Sequence, residues 1–526
     1  MSDKPHNSEA SAAPKAPLRL AAYATALTGG SAASMVVEIA AGRLIAPYVG
    51  MSLYTWTAII AVVLGGLSVG HWIGGRLAAP GVDRAGLSRR TGIAFLGAAL
   101  TTLGALPVLH WAAVVVLPMG LSPLLAIITV TTLAFVAPSL AAGVVSPLLT
   151  KMAIDERPHD AGRILGRMYA LGAAGAIAGT LLAGFLFIGW VGSRGTIFAT
   201  AGVYVALSAG FLLVRPVRKA VPVAAAGVLL AVGIAAWGSQ TRAFETPCNV
   251  ETSYYCIRVD DFAPMTGRSS AVMVIDHMAH GVNDRAAPEL LYSQYLQFVD
   301  EVTRRRHRGP RLSAYFIGGG AFTLPRAWQA AYPQLDALVA EIDPGVTQAA
   351  VDRLWFSPDE RVQVEAADGR LLLQSLPAVP QFDVVFGDAF HDFTIPAHLV
   401  TREFHDAIAA RLNPGGTYVM NVVESRENPE FLRALVKTLY LSFKTVEVWL
   451  EHEDAKSTGR VTYVVLAGST PLPTYRMDST FGIERLWWRV PEAAFGPLDA
   501  APILTDDYAP VDRLMTHVTL DAALVD

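Results

Sequence analysis

Acidic residues are scarce in the first half of this 526-residue chain. Residues 1–240 hold seven of them, Asp3, Glu9, Glu38, Asp83, Asp155, Glu156 and Asp160, against sixteen Lys and Arg, a balance of +9. The whole chain carries −4, so the remainder must carry −13. Such a split indicates a basic, apolar membrane module fused to an acidic soluble one. The basic residues lie in loops between apolar runs and are not interleaved with aromatics, which argues against a nucleic-acid surface. Cysteine is nearly absent. Cys248 and Cys256 are the only two, with no CxxC pair and no cluster at metal-ligand spacing, so no metal site is expected. They read as two free core thiols, with a disulfide as the alternative if this segment faces an oxidising compartment. A secretory signal is also missing, since no small-residue cleavage site follows a short apolar core. Residues 1–17 read as a polar, disordered tail.

Long apolar runs are abundant between residues 18 and 240. A spanning helix needs roughly 20 apolar residues, and seven segments qualify: 19–47, 53–77, 91–110, 121–149, 165–192, 195–214 and 220–238. Runs such as "GAAGAIAGTLLAG" supply the small residues that let helices approach closely in lipid, so a compact bundle is expected. Glu38 and Arg43 stand out within it, because ionisable groups at membrane depth are costly and are paired or functional. Their spacing puts them on different faces, which points to partners on other helices. The basic loops come at alternate positions: Arg84, Arg89 and Arg90; Lys151, Arg157 and Arg163; Arg215, Arg218 and Lys219. By the positive-inside rule these loops and the N-terminus are cytoplasmic. A seventh crossing then places the C-terminal domain outside.

From about residue 245 the pattern changes. "SYYCIRVDD" and "SAVMVIDHMAHG" alternate as strands do and form a small N-terminal β-hairpin subdomain, over about 245–300, with the helical "APELLYSQYLQFVDEVTRR". Residues 308–526 then interleave seven strands with helices: "LSAYFIGGG", "DALVAEID", "VQVEAADG", "FDVVFGDAF", "TYVMNVVE", "KTVEVWLEH" and "RVTYVVLAG". That order implies a mostly parallel sheet ending in an antiparallel pair, the class I methyltransferase-like, Rossmann-like arrangement. Ligands on such sheets bind beyond the carboxyl ends of the strands. There the sequence places Gly318, Gly319 and Gly320, then Glu341 and Asp343, then Asp368 and Gly369, then Asp388. The glycines admit a close ligand, Glu341 offers two acceptors to a ribose, and Asp368 offers one to an adenine amino group. Ala321, Phe322 and Thr323 leave GxGxxG incomplete, which argues against NAD, and no Walker lysine is present. Thr323 is placed as the cap of the next helix, with Pro325 in its first turn.

These residues, in this order, resemble the spermidine synthase family of polyamine aminopropyltransferases, and in particular its bacterial membrane-fused branch. The family's "S-x-Y-Q" is echoed by "TSYY", with Tyr255 at the glutamine. "L-D-G-x-x-Q" becomes "IDHMAH", with His280 at the glutamine. "D-E-x-x-Y" is echoed by "PELLY", making Tyr292 an amine-side residue. "EID", "ADG" and "DVVFGDAFHD" match the ribose, adenine and catalytic segments, so Asp388 takes the role of general base. The resemblance implies decarboxylated S-adenosylmethionine as co-substrate, no permanently bound cofactor, and a diamine such as putrescine as acceptor. Tyr254, Tyr292, Asp392 and Asp507 then fall on the acceptor side, with Glu289 beside them, and "ILTDDYAPVD" either folds over the pocket or is simply a turn. One departure concerns the donor. The family's "GGGDG" holds the aminopropyl amine with its aspartate, and here that position is Ala321. Carboxylated S-adenosylmethionine is therefore an alternative donor, and a methyltransferase acting on an amine or membrane-associated acceptor an alternative enzyme. A polyamine transporter or sensor with a ligand-binding α/β domain is the non-enzymatic alternative. The expected partners are the diamine or polyamine and the lipid bilayer of the cell membrane, with a homodimer left open.

Overall fold

The computed structural model describes residues 15–213, 221–390 and 394–520. The third basic loop, Asp392 and most of the N-terminal tail lie outside them. The chain divides into two compact units, one helical and one α/β, the second beginning its main run at Pro247.

The helical unit comprises α1 (Lys15–Val49), α2 (Leu53–Leu77), α3 (Arg84–Val116), α4 (Pro123–Glu156), α5 (Ala161–Leu182), α6 (Ile188–Leu212) and α7 (Val221–Gln240). Six stretches among the described residues are long and apolar enough to cross a membrane, where the sequence suggested seven. The difference lies at 158–212, counted as one stretch of 55 residues. No polar loop separates α5 from α6: a π-helical turn, Ala183–Phe187, joins them, and Gly192 breaks the helix with φ 71°. Small residues set the packing, as their pattern implied. A Cβ on Gly70 or Gly74 of α2 would meet the Leu140 or Val144 carbonyl of α4 at 2.2 or 2.4 Å. One on Gly175 or Gly179 of α5 would meet the Thr28 or Ala32 carbonyl of α1 at 2.3 or 2.2 Å. At one end, Glu156 gathers Arg19 and Arg84, and Arg84 also donates to the Tyr23 hydroxyl at 2.7 Å. Glu38 is buried, and its Oε2 accepts no hydrogen bond among the described residues.

The second unit opens with a four-stranded antiparallel sheet, β1 (Val250–Glu251), β2 (Cys256–Asp261), β3 (Ser270–Ile275) and β4 (Met278–Asp284), with the one-turn α8 (Ala263–Thr266) between β2 and β3. Cys248 and Cys256 form a disulfide across its first hairpin. This replaces the reading of two free thiols: the hairpin in which Glu251 pairs with Cys256 turns the chain back and leaves Cys248 and Cys256 5.2 Å apart, Cα to Cα. Helix α9 (Gln294–Arg306) starts later than its sequence suggests.

The large sheet contains β5 (Arg311–Ile317), β6 (Gln334–Ala340), β7 (Val362–Glu365), β8 (Phe382–Gly387), β9 (Leu412–Ser425), β10 (Thr445–Glu451), β11 (Arg460–Gly468), β12 (Arg476–Asp478) and β13 (Leu486–Val490). Its order is β12-β13-β10-β11-β9-β8-β5-β6-β7. The strands from β9 to β7 are parallel, and β11 is antiparallel to both β9 and β10. The seven strands read from the sequence are all present. The edge hairpin β12–β13 was not read, because three- and five-residue strands carry too little alternation to register. Alternation along β5 divides the core: Leu312, Ala314 and Phe316 pack on one face of the sheet, Tyr315 and Ile317 on the other. Between the strands run α10 (Thr323–Ala331), α11 (Pro344–Arg353), α12 (Gly369–Ser375), α13 (Arg402–Ala409) and α14 (Glu430–Leu439). The strand order turns back on itself between β5 and β8, which opens a crevice at their carboxyl ends.

Candidate active site

A cavity of about 310 Å³ occupies that crevice. Its base is the turn after β5. Gly318 has φ 96°, and a Cβ there would stand 2.7 Å from the Asp388 carbonyl. Its first requirement is thus the close passage of the loop after β8, whose Asp388 amide donates to the Ile317 carbonyl at 3.0 Å. A Cβ on Gly319 would strike the Phe322 ring at 2.4 Å. Phe322 takes φ 52° where the family pattern has glycine, a conformation that costs a bulky residue roughly 1–2 kcal/mol. Its fully buried ring, stacked on Phe356 at 4.4 Å, offsets that cost. Thr323 does not cap α10, since its hydroxyl is buried without a hydrogen bond.

Glu341, beyond β6, binds this turn directly. Its Oε2 accepts from the Gly319 amide at 2.8 Å and its Oε1 from the Asp343 amide at 2.9 Å. Burial raises its carboxyl against the pull of those amides. Glu341, Gly318 and Gly320 line the cavity, but Asp343 does not. Asp343 caps α11 by accepting from the Gly345 amide and also receives the Thr252 hydroxyl at 2.5 Å. It ties the β1–β2 hairpin to the start of α11. Thr252 in turn accepts from the amides of Tyr254 and Tyr255, which holds both rings at the cavity wall.

Asp368 and Gly369 form the opposite wall. Asp368 Oδ1 accepts from the Arg370 and Leu371 amides at 3.0 and 2.9 Å, and Oδ2 lies 2.7 Å from His398 Nε2. Burial alone would raise this carboxyl, but these partners outweigh it and hold it below its usual range. His277 and His280, in and after the β3–β4 turn, line the site as well. Burial lowers each to about 4, so both are neutral at neutral pH.

Asp388 lies where β8 ends. Its Oδ1 accepts from Asn421 Nδ2 at 2.8 Å and its Oδ2 from the Tyr295 hydroxyl at 3.2 Å. Burial lifts its carboxyl to about 6 in spite of those two bonds. Burial and the adjacent Asp388 raise the Tyr295 phenol, which therefore remains a donor. Tyr295, three residues after Tyr292, is the tyrosine that bonds Asp388. Tyr292 instead bonds Asp284 at 3.2 Å, beside the Arg268–Asp284 pair, and Glu289 is paired with Arg304. The delayed start of α9 causes this shift. Asp507 is exposed and outside the cavity, whereas its neighbour Asp506 is bound to Arg370. The sequence reading missed Tyr295, Asn421, Asp276, His277 and His398. Of these, Asp276 and His277 lie within the quoted "IDHMAH", and Tyr295 within "YSQY" as a second tyrosine that a motif match had no means to rank.

Among the described lining residues Asp276, Glu341, Asp368 and Asp388 are acidic, and none is Lys or Arg. The cavity therefore suits a cationic ligand carrying polar groups that an acid wall accepts.

No family model matches the chain. It is similar to the probable polyamine aminopropyl transferase of Bifidobacterium longum (strain NCC 2705), 29% identical over 233 residues that cover 41% of this chain and 51% of that protein. It is also similar to the polyamine aminopropyltransferase of Vibrio vulnificus (strain CMCP6), 29% identical over 133 residues, 25% of this chain and 44% of the relative. The chain spans about half the length of the curated relatives it matches. Among solved structures, a probable spermidine synthase from Corynebacterium glutamicum ATCC 13032 shares 18% identity, covering 49% of this chain and 95% of that one, at a TM-score of 0.43.

Proposed function

We propose that the protein is a membrane-bound aminopropyltransferase. It moves an aminopropyl group from decarboxylated S-adenosylmethionine to a diamine such as putrescine. The observation that carries this reading is Asp388, a buried carboxylate held by two donors at the mouth of an acid-lined crevice. The acceptor arrives as an ammonium and must lose a proton before it attacks. Asp388 takes that proton. The freed lone pair forms the new C–N bond, the C–S bond breaks, and its electrons stay on sulfur as a neutral thioether. Asp388 then releases the proton to solvent. The sulfonium is its own activated leaving group, so the residues supply proton removal and alignment. Glu341 takes the ribose hydroxyls and Asp368 the adenine edge.

A second reading, methyl transfer from carboxylated S-adenosylmethionine, is favoured by Ala321. Its side chain is buried in the core and does not line the cavity, so no acid at that position meets a donor amine. Against it stands the acid wall, which offers no Lys or Arg to a donor carboxylate. Calorimetry of the purified full-length protein with both nucleosides tests the choice. Tighter binding of the decarboxylated form is expected, and preference for the carboxylated form overturns the first reading.

The apolar helices anchor the enzyme in the cell membrane, and with the 55-residue stretch at 158–212 crossing twice, once through α5 and once through α6, the crossings number seven and the catalytic unit faces outward. The alternating basic loops and the Cys248–Cys256 disulfide, a bond that persists in oxidising compartments, support this orientation. An outward domain draws its donor from that side of the membrane. Labelling of intact cells with an impermeant thiol reagent tests it. Labelling that appears only on reduction is expected, while labelling that needs lysis refutes it.

A further inference from the structure

The C-terminal turn "LTDDY" is absorbed by no step above, yet it is tied to the cavity wall through one arginine. Arg370, one residue beyond Gly369 in α12, grips Asp506 with both terminal nitrogens at 2.6 Å. Its Nη1 also donates to the His398 carbonyl at 3.0 Å and the Thr401 hydroxyl at 3.2 Å. Asp506 is steadied in turn, since its amide donates to Glu403 Oε2 at 3.0 Å. The Arg402 amide donates to the Leu504 carbonyl at 2.8 Å. A single guanidinium thus joins the start of α12, the loop at 396–401 and the turn at 504–508. A planar fork matched to a carboxylate is the geometry in which arginine fixes direction as well as distance.

What this clasp holds is His398. Its ring closes on Asp368 Oδ2, while Oδ1 is already taken by two amides. Pro396, His398 and Leu399 form the wall facing Asp368. The placement of the 396–401 loop therefore decides where the outer oxygen of Asp368 points and how much room remains beside it.

We propose that Arg370 and Asp506 are positioning residues for the nucleoside end of the donor, acting through His398 and Asp368. The inference rests on the adenosyl-site reading above. It reverses the acceptor-side role that the sequence suggests for this turn: Asp506, though exposed, pairs with Arg370 at the start of α12, and Asp507 and Tyr508 are exposed beside it.

The test uses the full-length protein in detergent, titrated with 5′-methylthioadenosine, the thioether product of the proposed reaction. Losing one charge-assisted bidentate contact is expected to weaken nucleoside binding roughly ten-fold in Asp506→Asn and in Arg370→Lys. The donor KM rises in parallel, while kcat and the acceptor KM stay within about two-fold, a split that distinguishes positioning from chemistry. The reversed pair, Arg370→Asp with Asp506→Arg, recovers part of the affinity lost by either reversal alone. If Asp506→Asn misfolds, Arg370→Lys, which keeps the charge, gives the same readout. Wild-type affinity in both variants overturns the inference while leaving the adenosyl site standing, as does a rise in the acceptor KM alone. A wild-type protein that does not bind the nucleoside overturns the site reading and the inference with it.

Discussion

Replacing Asp388 with Asn separates the catalytic account of this carboxylate from a structural one, because the two predict opposite consequences. Burial lifts Asp388 from 3.8 to about 6. A carboxyl raised in the folded state binds its proton more tightly there than in the unfolded chain. Its contribution to stability is therefore present at low pH and lost as pH rises between those two values. At neutral pH the folded protein carries a cost on the order of 3 kcal/mol for keeping this group charged. Asp388→Asn removes that cost. The amide loses some of the fit with Asn421, which donates to Oδ1, while the Tyr295 hydroxyl can rotate to compensate. Thermal unfolding in detergent should show the variant more stable than wild type near pH 7.5, with the gain fading towards pH 4. Turnover should fall by roughly 10²–10⁴, the usual worth of a general base. In the wild type the acid limb of kcat/KM should follow the same carboxyl, with about a tenth of the plateau rate at pH 5 and about nine-tenths at pH 7. An active Asp388→Asn protein, or a rate flat between pH 5 and 7, refutes the assignment. Lost activity together with lost stability at neutral pH indicates that Asp388 holds the site together and does not act in it.

Tyr295→Phe removes a donor that favours the ionised form of Asp388, so the acid limb should move to higher pH, and a pH–rate profile checks the shift. Glu341→Gln turns an amide donor towards the backbone amides that now bond the carboxylate, and nucleoside affinity measured by calorimetry should drop roughly ten- to hundred-fold. Gly318→Ala forces a methyl group against the Asp388 carbonyl and a side chain into φ 96°, and both donor binding and turnover should fail in a protein that still folds by circular dichroism. Reduction, or Cys248→Ser with Cys256→Ser, frees the hairpin that carries Tyr254 and Tyr255, and the donor KM should rise with kcat little changed.

The division of the chain was legible because lipid and water demand different compositions, and no packing detail is needed to see an acid-poor half joined to an acidic one. The strands of the central sheet were legible for the same reason. A strand buried on both faces, such as Tyr315–Ile317, must be apolar whatever lies beside it. The glycine turn and the acids at the strand ends could be placed because topology alone sends them to one edge of the sheet. Tertiary structure decided which of those acids face the ligand. Asp343 and Glu341 are two residues apart, but one caps a helix and the other turns into the cavity, a choice made by Thr252 and the hairpin packed above them. It also decided Tyr295 over Tyr292, since a helix that begins at Gln294 aims only the later ring at Asp388. The cysteines paired because the β1–β2 hairpin folds the chain back and brings Cys248 within 5.2 Å, Cα to Cα, of Cys256. Asp506 is tied to the start of α12 because Arg370, 136 residues away, reaches it. A local pattern specifies which groups a segment offers, and only long-range packing fixes where each one points.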